Sequence, residues 1–129
     1  MTETPDVLKH LLMTNRGLDI TSQLGAGNRS HGVRIIVQAI LGEFRAGNSE
    51  AFRYASRLAI LSIPKARLKM DTPAPESRDW SRTTAWISRA DAELIESNIS
   101  KYDLKLSDWL RGAILGATGE EPTCPVKCD

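Results

Sequence analysis

The first half of the chain contains three runs in which apolar residues recur at helical spacing. This spacing predicts amphipathic helices over residues 5–14, 30–46 and 48–63, because positions three or four apart share one face of a helix. Pro64 predicts the end of the third helix, and the Gly- and Asn-rich stretch 15–30 predicts a loop. The first half of the chain is therefore expected to be helical.

Residues 65–70, KARLKM, alternate between basic and apolar positions. A period of two is typical of a half-buried strand, so we expect a strand whose outer face carries Lys65, Arg67 and Lys69. Residues 51–70 contain five basic side chains and no acidic one. This basic cluster either contacts a polyanion or forms a solvated face that acidic residues elsewhere neutralise.

Residues 81–118 show a different order of elements. The segment 82–87 is short and rich in β-branched and aromatic side chains, which predicts a strand. Ser88 and Ser107 are suitable N-caps, and each precedes an apolar stripe at helical spacing. The two stripes are Ala92, Ile95, Ile99 and Tyr102, and then Leu110, Ala113, Ile114 and Ala117. We therefore expect a strand followed by two capped helices.

This order of elements, together with the phrase LKLSDWLRGAIL, resembles the ribbon-helix-helix family of DNA-binding proteins. The resemblance spans residues 81–118. It implies that two copies of the unit pair their strands into an antiparallel ribbon over a shared helical core, because one copy is too small to bury its own apolar faces. It also implies that one face of the ribbon enters the major groove of DNA.

Alternation along the strand selects the residues that would face the groove. If Ile87 and every second residue before it point to the core, the other side carries Arg82, Thr84 and Trp86. Arginine suits a guanine edge and threonine suits a base edge or a phosphate, while the indole either stacks on DNA or packs beneath the preceding linker. The resemblance further implies a phosphate contact at the start of the second helix, through Lys105, Ser107 and the amide of Asp108.

Two arrangements would supply the second strand of the ribbon. In one, the protein is a homodimer, and residues 1–70 form a helical region for oligomerisation or for docking a protein partner. In the other, residues 5–14 and 30–46 are a degenerate first copy, KARLKM pairs with RTTAWI, and one chain is a pseudo-dimer. Fused units of this kind occur in accessory proteins of conjugative and T-DNA transfer systems, which the chain resembles in element order but not in motif. Residues 71–80 are then a linker and residues 119–129 a flexible tail.

Composition and motifs narrow the class of protein. The 129 residues are 41% hydrophobic and 26% charged with a formal net charge of +1, which predicts one compact domain. No apolar run reaches the ~18 residues of a membrane span, and no secretory signal precedes the first helix, so a cytoplasmic location and no membrane partner are expected. Catalytic and nucleotide-binding motifs are missing, and His10 and His31 stand alone, so we expect neither enzyme activity nor a cofactor.

The two cysteines, Cys124 and Cys128, lie in the last six residues of the sequence. Two sulfurs are only half of a structural zinc shell, and no histidine is near in sequence. A shared metal, a small disulfide and two free thiols all remain open, and we expect no metal bound by one chain.

These features predict a mainly α-helical protein with a short β-ribbon that binds double-stranded DNA. Its role would be that of a relaxosome or plasmid-transfer accessory factor, or of a transcriptional repressor. The alternative is a helical protein-interaction subunit, antitoxin-like or part of a nucleoprotein complex, without direct base readout. The state of the strand discriminates the two. Arg82 and Thr84 open beside the Lys65, Arg67 and Lys69 face favour DNA, whereas a buried Trp86 and an internally paired Arg82 favour a protein partner.

Overall fold

A computed structural model describes residues 7–71 and 80–119. The elements in chain order are β1 (Val7–Thr14), α1 (Asn15–Leu24), α2 (Arg29–Arg45), α3 (Glu50–Asp71), β2 (Trp80–Ile87), α4 (Arg89–Ile99), a 3₁₀ turn (Ser100–Tyr102) and α5 (Leu106–Thr118). The protein is mainly helical with a small two-stranded antiparallel sheet, which confirms the coarse fold class. Most of the predicted linker, residues 72–79, and residues 120–129 lie outside the described part of the chain.

The sheet is formed by β1 and β2. Although 65 residues lie between Thr14 and Trp80 in the sequence, these two residues are opposite each other in the ladder. The pairing runs from Val7 opposite Ile87, through His10 opposite Thr84, to Thr14 opposite Trp80. Because successive strand residues point to opposite sides, the register fixes which side chains share a face. Leu11, Met13, Ala85 and Ile87 are buried beneath the sheet.

The prediction of a helix over residues 5–14 is wrong, since β1 occupies residues 7–14. The partner of β2 is therefore β1 and not KARLKM. The run VLKHLLMT contains enough leucine to satisfy a helical spacing over two turns, and a short apolar run does not distinguish a helix from a strand. Burial of Leu11 and Met13 on one face shows the period of two that the structure adopts.

The prediction of a loop between residues 15 and 30 is wrong for residues 15–24, which form α1, while residues 25–28 form a turn. The Thr14 hydroxyl accepts a hydrogen bond from the Gly17 amide at 3.0 Å and caps this helix. At Gly32, a Cβ atom would overlap the carbonyl oxygen of Thr21 in α1. Gly32, which lies within the predicted helix 30–46, is required for the close approach of α1 and α2.

The predicted end of a helix at Pro64 and the predicted strand at residues 65–70 are wrong, because α3 continues through both to Asp71. Proline cannot donate to the carbonyl of the residue four positions earlier, which here is Ile60. Pro64 and Ile60 are both exposed, so water can reach that part of the helix surface. The cost of the missing hydrogen bond is thereby reduced, and the helix persists.

One core contains buried apolar residues from all five helices and both strands. The predicted regions 1–70 and 81–118 thus contribute to a common interior. Phe52 of α3 lies between these two regions, with its ring centroid 4.7 Å from that of Phe44 in α2 and 5.1 Å from that of Trp109 in α5. Aromatic pairs at such distances add to the stabilisation that burial provides.

Helices α3 and α5 approach each other closely at small residues. A Cβ at Gly112 would overlap the carbonyl oxygen of Ala55 and lie 2.6 Å from the amide nitrogen of Ala59. Both neighbours are backbone atoms, which cannot move aside by rotating a side chain. The contact between the two helices therefore requires glycine at this position.

We expect Gly112→Ala to lower the free energy of unfolding by about 2–3 kcal/mol, because the added methyl group forces α3 and α5 apart. The matched control is Gly42→Ala in α2, where no atom lies within 4 Å of the added Cβ and which should raise stability by about 0.5–1 kcal/mol. Urea unfolding followed by circular dichroism measures both values. Equal stability of Gly112→Ala and the wild type would contradict the close packing.

Candidate nucleic-acid interface

The outer face of the β1–β2 sheet is open to solvent. Arg82, Thr84 and Trp86 of β2 lie on this face, together with Leu8 and His10 of β1, and all five are exposed. Ala85 and Ile87, which alternate with them, are buried. The three residues that the sequence assigns to the groove-facing side thus share one surface. We call the five exposed residues the ribbon face.

Trp86 is 45% exposed, and most of the linker beneath which the sequence analysis allowed it to pack lies outside the described residues. Its cross-strand neighbour is Leu8, which is 39% exposed. Residues directly opposite in an antiparallel pair have Cβ atoms about 4.5–5.5 Å apart. One end of the ribbon face therefore presents a small apolar surface, while Arg82 marks the other end.

The N-terminus of α2 adjoins the ribbon face at Trp86. The Trp86 amide donates to the Ser30 hydroxyl oxygen at 3.2 Å, and the Nε of Arg34 donates to the Trp86 carbonyl at 2.9 Å. Asn28 caps the helix by accepting a hydrogen bond from the His31 amide at 3.1 Å. These contacts fix the start of α2 against the outer edge of β2.

The first turn of α2 carries basic residues that the sequence analysis did not select. Arg29 and His31 are exposed there, and residues 7–34 contain four Lys or Arg side chains against one acidic side chain, Asp19. Free backbone amides and the helix dipole favour an anion at a helix N-terminus. The local excess of basic charge in residues 7–34 could have been found by counting, but that segment was divided between a predicted helix and a predicted loop.

The start of α5 differs in part from the prediction. The helix begins at Leu106 with Lys105 as the N-cap residue, so Ser107 lies inside the first turn and the prediction that it caps the helix is wrong. The Asp108 carboxylate accepts a hydrogen bond from the Lys105 amide at 3.3 Å. Lys105 is exposed, whereas Ser107 is half-buried.

Asp108 also pairs with Arg111, whose Nη1 lies 3.1 Å from Oδ1 of the carboxylate. Burial of the Arg111 guanidinium lowers its pKa, and the hydrogen bond and charge of Asp108 oppose that shift. The negative charge that would repel a phosphate at this helix start is therefore partly compensated from within the protein. Arginine remains charged near neutral pH even with a lowered pKa, so the pair persists.

The two helix starts carry the same spacing of polar residues. Counted from the N-cap, Ser30 and Arg34 in α2 occupy the positions of Ser107 and Arg111 in α5. Helix α2 packs against β2, and α5 packs against β1. The second helix after β1 thus packs on β2, and the second helix after β2 packs on β1.

Lys65, Arg67 and Lys69 lie in the last part of α3 rather than on a strand. Their side chains are outside what the structure describes. The prediction that they contribute to binding rests on their charge alone.

A buried carboxylate joins α4 to α2 behind the ribbon face. Asp91 is 5% exposed, accepts a hydrogen bond from Gln38 Nε2, and lies 2.8 Å from Arg45 Nη2. Its own amide donates to the Ser88 hydroxyl at 3.2 Å, which caps α4 as predicted. The helix that follows β2 is thereby fixed to the helix that borders β2.

Within residues 7–71 and 80–119, no group of three or more metal-ligating side chains is present. Cys124 and Cys128 lie outside this part of the chain. None of the helices in it combines the length and the apolar character that crossing a membrane would require. No protein-family model, curated protein or solved structure matches the chain.

We expect Asp91→Asn to lower the free energy of unfolding by about 1–2 kcal/mol, because it weakens two hydrogen bonds to a charged acceptor that join α2 to α4. Arg45 is half-exposed, so water compensates for part of the lost ion pair. The control is Glu93→Gln, an exposed position on the same helix, which should change stability by less than about 0.5 kcal/mol. Chemical denaturation provides the test, and equal effects of the two changes would show that the Asp91 contacts do not stabilise the protein.

Proposed function

We propose that the protein binds double-stranded DNA by inserting the ribbon face into the major groove. The observation that carries this proposal is the exposure of Arg82 and Thr84 on the outer face of a two-stranded antiparallel sheet whose edge adjoins a basic helix N-terminus. The major groove of B-DNA is about 12 Å wide and admits a two-stranded ribbon. The size and the chemistry of this surface therefore fit the groove.

Base contacts and backbone contacts would come from different elements. Arg82 can form two hydrogen bonds with a guanine edge, and Thr84 can reach a base edge or a phosphate oxygen. Arg29 and His31, with the free amides at the start of α2, suit a phosphate on one side of the groove. On the other side, Lys105 supplies a positive charge at the start of α5.

We further propose that one chain forms a complete ribbon-helix-helix pseudo-dimer. Both strands come from the same chain. Strand β1 is followed by α1 and α2, β2 is followed by α4 and α5, and α3 connects the two units. The first unit is residues 7–45, so its strand is β1 rather than the sequence KARLKM. A single chain with both strands does not need a second copy to complete the ribbon. Such a protein could serve as a DNA-transfer accessory factor or as a repressor.

The Leu8–Trp86 pair favours a second candidate function. Two exposed apolar side chains that lie directly opposite each other on paired strands are suited to packing against another protein. In that case the ribbon face would be a protein-binding surface, as in the alternative that the sequence left open. The exposure of Trp86 and of Arg82 agrees better with DNA binding, because the sequence predicts a buried Trp86 and an internally paired Arg82 for a strand that docks a protein.

We expect Arg82→Ala to weaken binding to duplex DNA by about 5- to 150-fold, which corresponds to about 1–3 kcal/mol for a base contact. Thr84→Ala should weaken it by about 2- to 10-fold, since a neutral hydrogen bond contributes about 0.5–1.5 kcal/mol. Fluorescence anisotropy with a promoter duplex and a scrambled duplex, each over a series of salt concentrations, measures these changes.

Arg53→Ala is the matched control for charge. Arg53 belongs to the basic cluster of residues 51–70, which the proposed interface does not include. It is exposed near the start of α3, beyond the C-terminal end of α2, and α2 extends about 25 Å from its start at Trp86. Its removal should change DNA affinity by less than about twofold at moderate salt. Absence of binding to both duplexes at low salt would contradict the proposed function and leave the protein-binding alternative. Equal losses for Arg53→Ala and Arg82→Ala would show general charge attraction instead of base contact.

A further inference from the structure

The register of the sheet relates each residue of β1 to one residue of β2. A rotation by 180° about the midpoint between His10 and Thr84 exchanges the Val7–Ile87 pair with the Met13–Ser81 pair. The same rotation exchanges Thr14 with Ser88, and these two residues cap α1 and α4. The two halves of the ribbon are therefore arranged with approximate twofold symmetry in their backbone pairing.

The side chains of the ribbon face do not follow this symmetry. The rotation exchanges Leu8 with Arg82 and His10 with Thr84, so an apolar side chain corresponds to a cation and an imidazole to a hydroxyl. All four side chains are exposed on the same surface. A duplex with two identical half-sites would place the same base edges before chemically different groups.

The flanking helix starts are different as well. The start of α2 carries exposed Arg29 and His31, whereas the start of α5 carries Lys105 and an acidic residue, Asp108. Attraction for the DNA backbone is consequently expected to be stronger on the α2 side. Base readout and backbone attraction both distinguish one end of the ribbon from the other.

We infer that a single chain recognises a non-palindromic DNA site in one orientation, with Arg82 and Thr84 reading one half and Leu8 and His10 reading the other. This inference rests on the proposed function. Histidine can donate to or accept from a base edge, and leucine can pack against a thymine methyl group. The face extends over four residue steps from the Leu8–Trp86 pair to the Leu12–Arg82 pair, or about 13 Å, which spans about four base pairs.

Selection of bound duplexes from a pool with a randomised central segment tests the inference, followed by native mass spectrometry of the selected complex. We expect an asymmetric motif with a specific core of about four base pairs, bound by one chain per duplex. His10→Ala should relax base preference in one half of the motif and Arg82→Ala in the other. Inverting one half of the motif should weaken binding by at least about 10-fold, as expected when two or more base contacts are lost.

A double variant, Leu8→Arg with His10→Thr, gives β1 the residues that β2 carries at the corresponding positions. Both positions are exposed, so the fold should tolerate the change, and urea unfolding verifies that it does. We expect selection with this variant to shift the motif towards a palindrome. Arg53→Ala, selected in parallel, should leave the asymmetric motif unchanged.

The possible failures are distinguishable. If the wild type enriches no sequence and binds no duplex, the proposed function itself is wrong. If it enriches a palindromic motif, or binds with two chains per duplex, DNA binding stands and the inference of single-chain asymmetric readout is overturned. The same holds if His10→Ala and Arg82→Ala affect the same half of the motif.

Discussion

The pairing of β1 with β2 is the interaction on which the rest of the structure depends. Two strands without further support are at best marginally stable in water, so the sheet requires that its inner face be buried. Leu11, Met13, Ala85 and Ile87 meet this requirement by packing into the helical core. Because side chains alternate along each strand, burial of the inner face exposes the ribbon face to solvent. The register then determines which residues are neighbours on that face.

Helix α3 allows one chain to supply both strands. Its 22 residues span about 33 Å, and it packs along α5 through the small residues Ala55, Ala59 and Gly112. This close contact holds the second strand–helix–helix segment against the helix that connects it to the first. The buried Asp91, with Gln38 and Arg45, joins the two segments a second time. The orientation of the ribbon face thus depends on contacts that lie behind it.

The ribbon face combines two kinds of surface whose balance decides the function. Arg82 and Thr84 suit base edges, whereas Leu8 and Trp86 form an apolar end. The start of α2 adds positive charge beside this apolar end, where a protein-binding surface would not require it. The proposed DNA binding requires both an electrostatic contribution that falls with salt and short-range contacts with base edges.

Local periodicity and capping chemistry are sufficient to predict the long amphipathic stripe of α2, the strand at residues 82–87 with its two faces, and the Ser88 cap. The sequence also identified Arg82, Thr84 and Trp86 as neighbours on one surface. It did not identify β1, α1 or the end of α3. VLKHLLMT satisfies both a helical and a strand period, the glycines of residues 15–30 do not prevent α1 from forming and packing closely on α2, and exposure lessens the cost of Pro64 within α3. Tertiary packing settles the first two cases, because β1 pairs with β2, which is distant in the chain, and α1 packs against α2. The third depends on solvent exposure of the helix surface at Pro64.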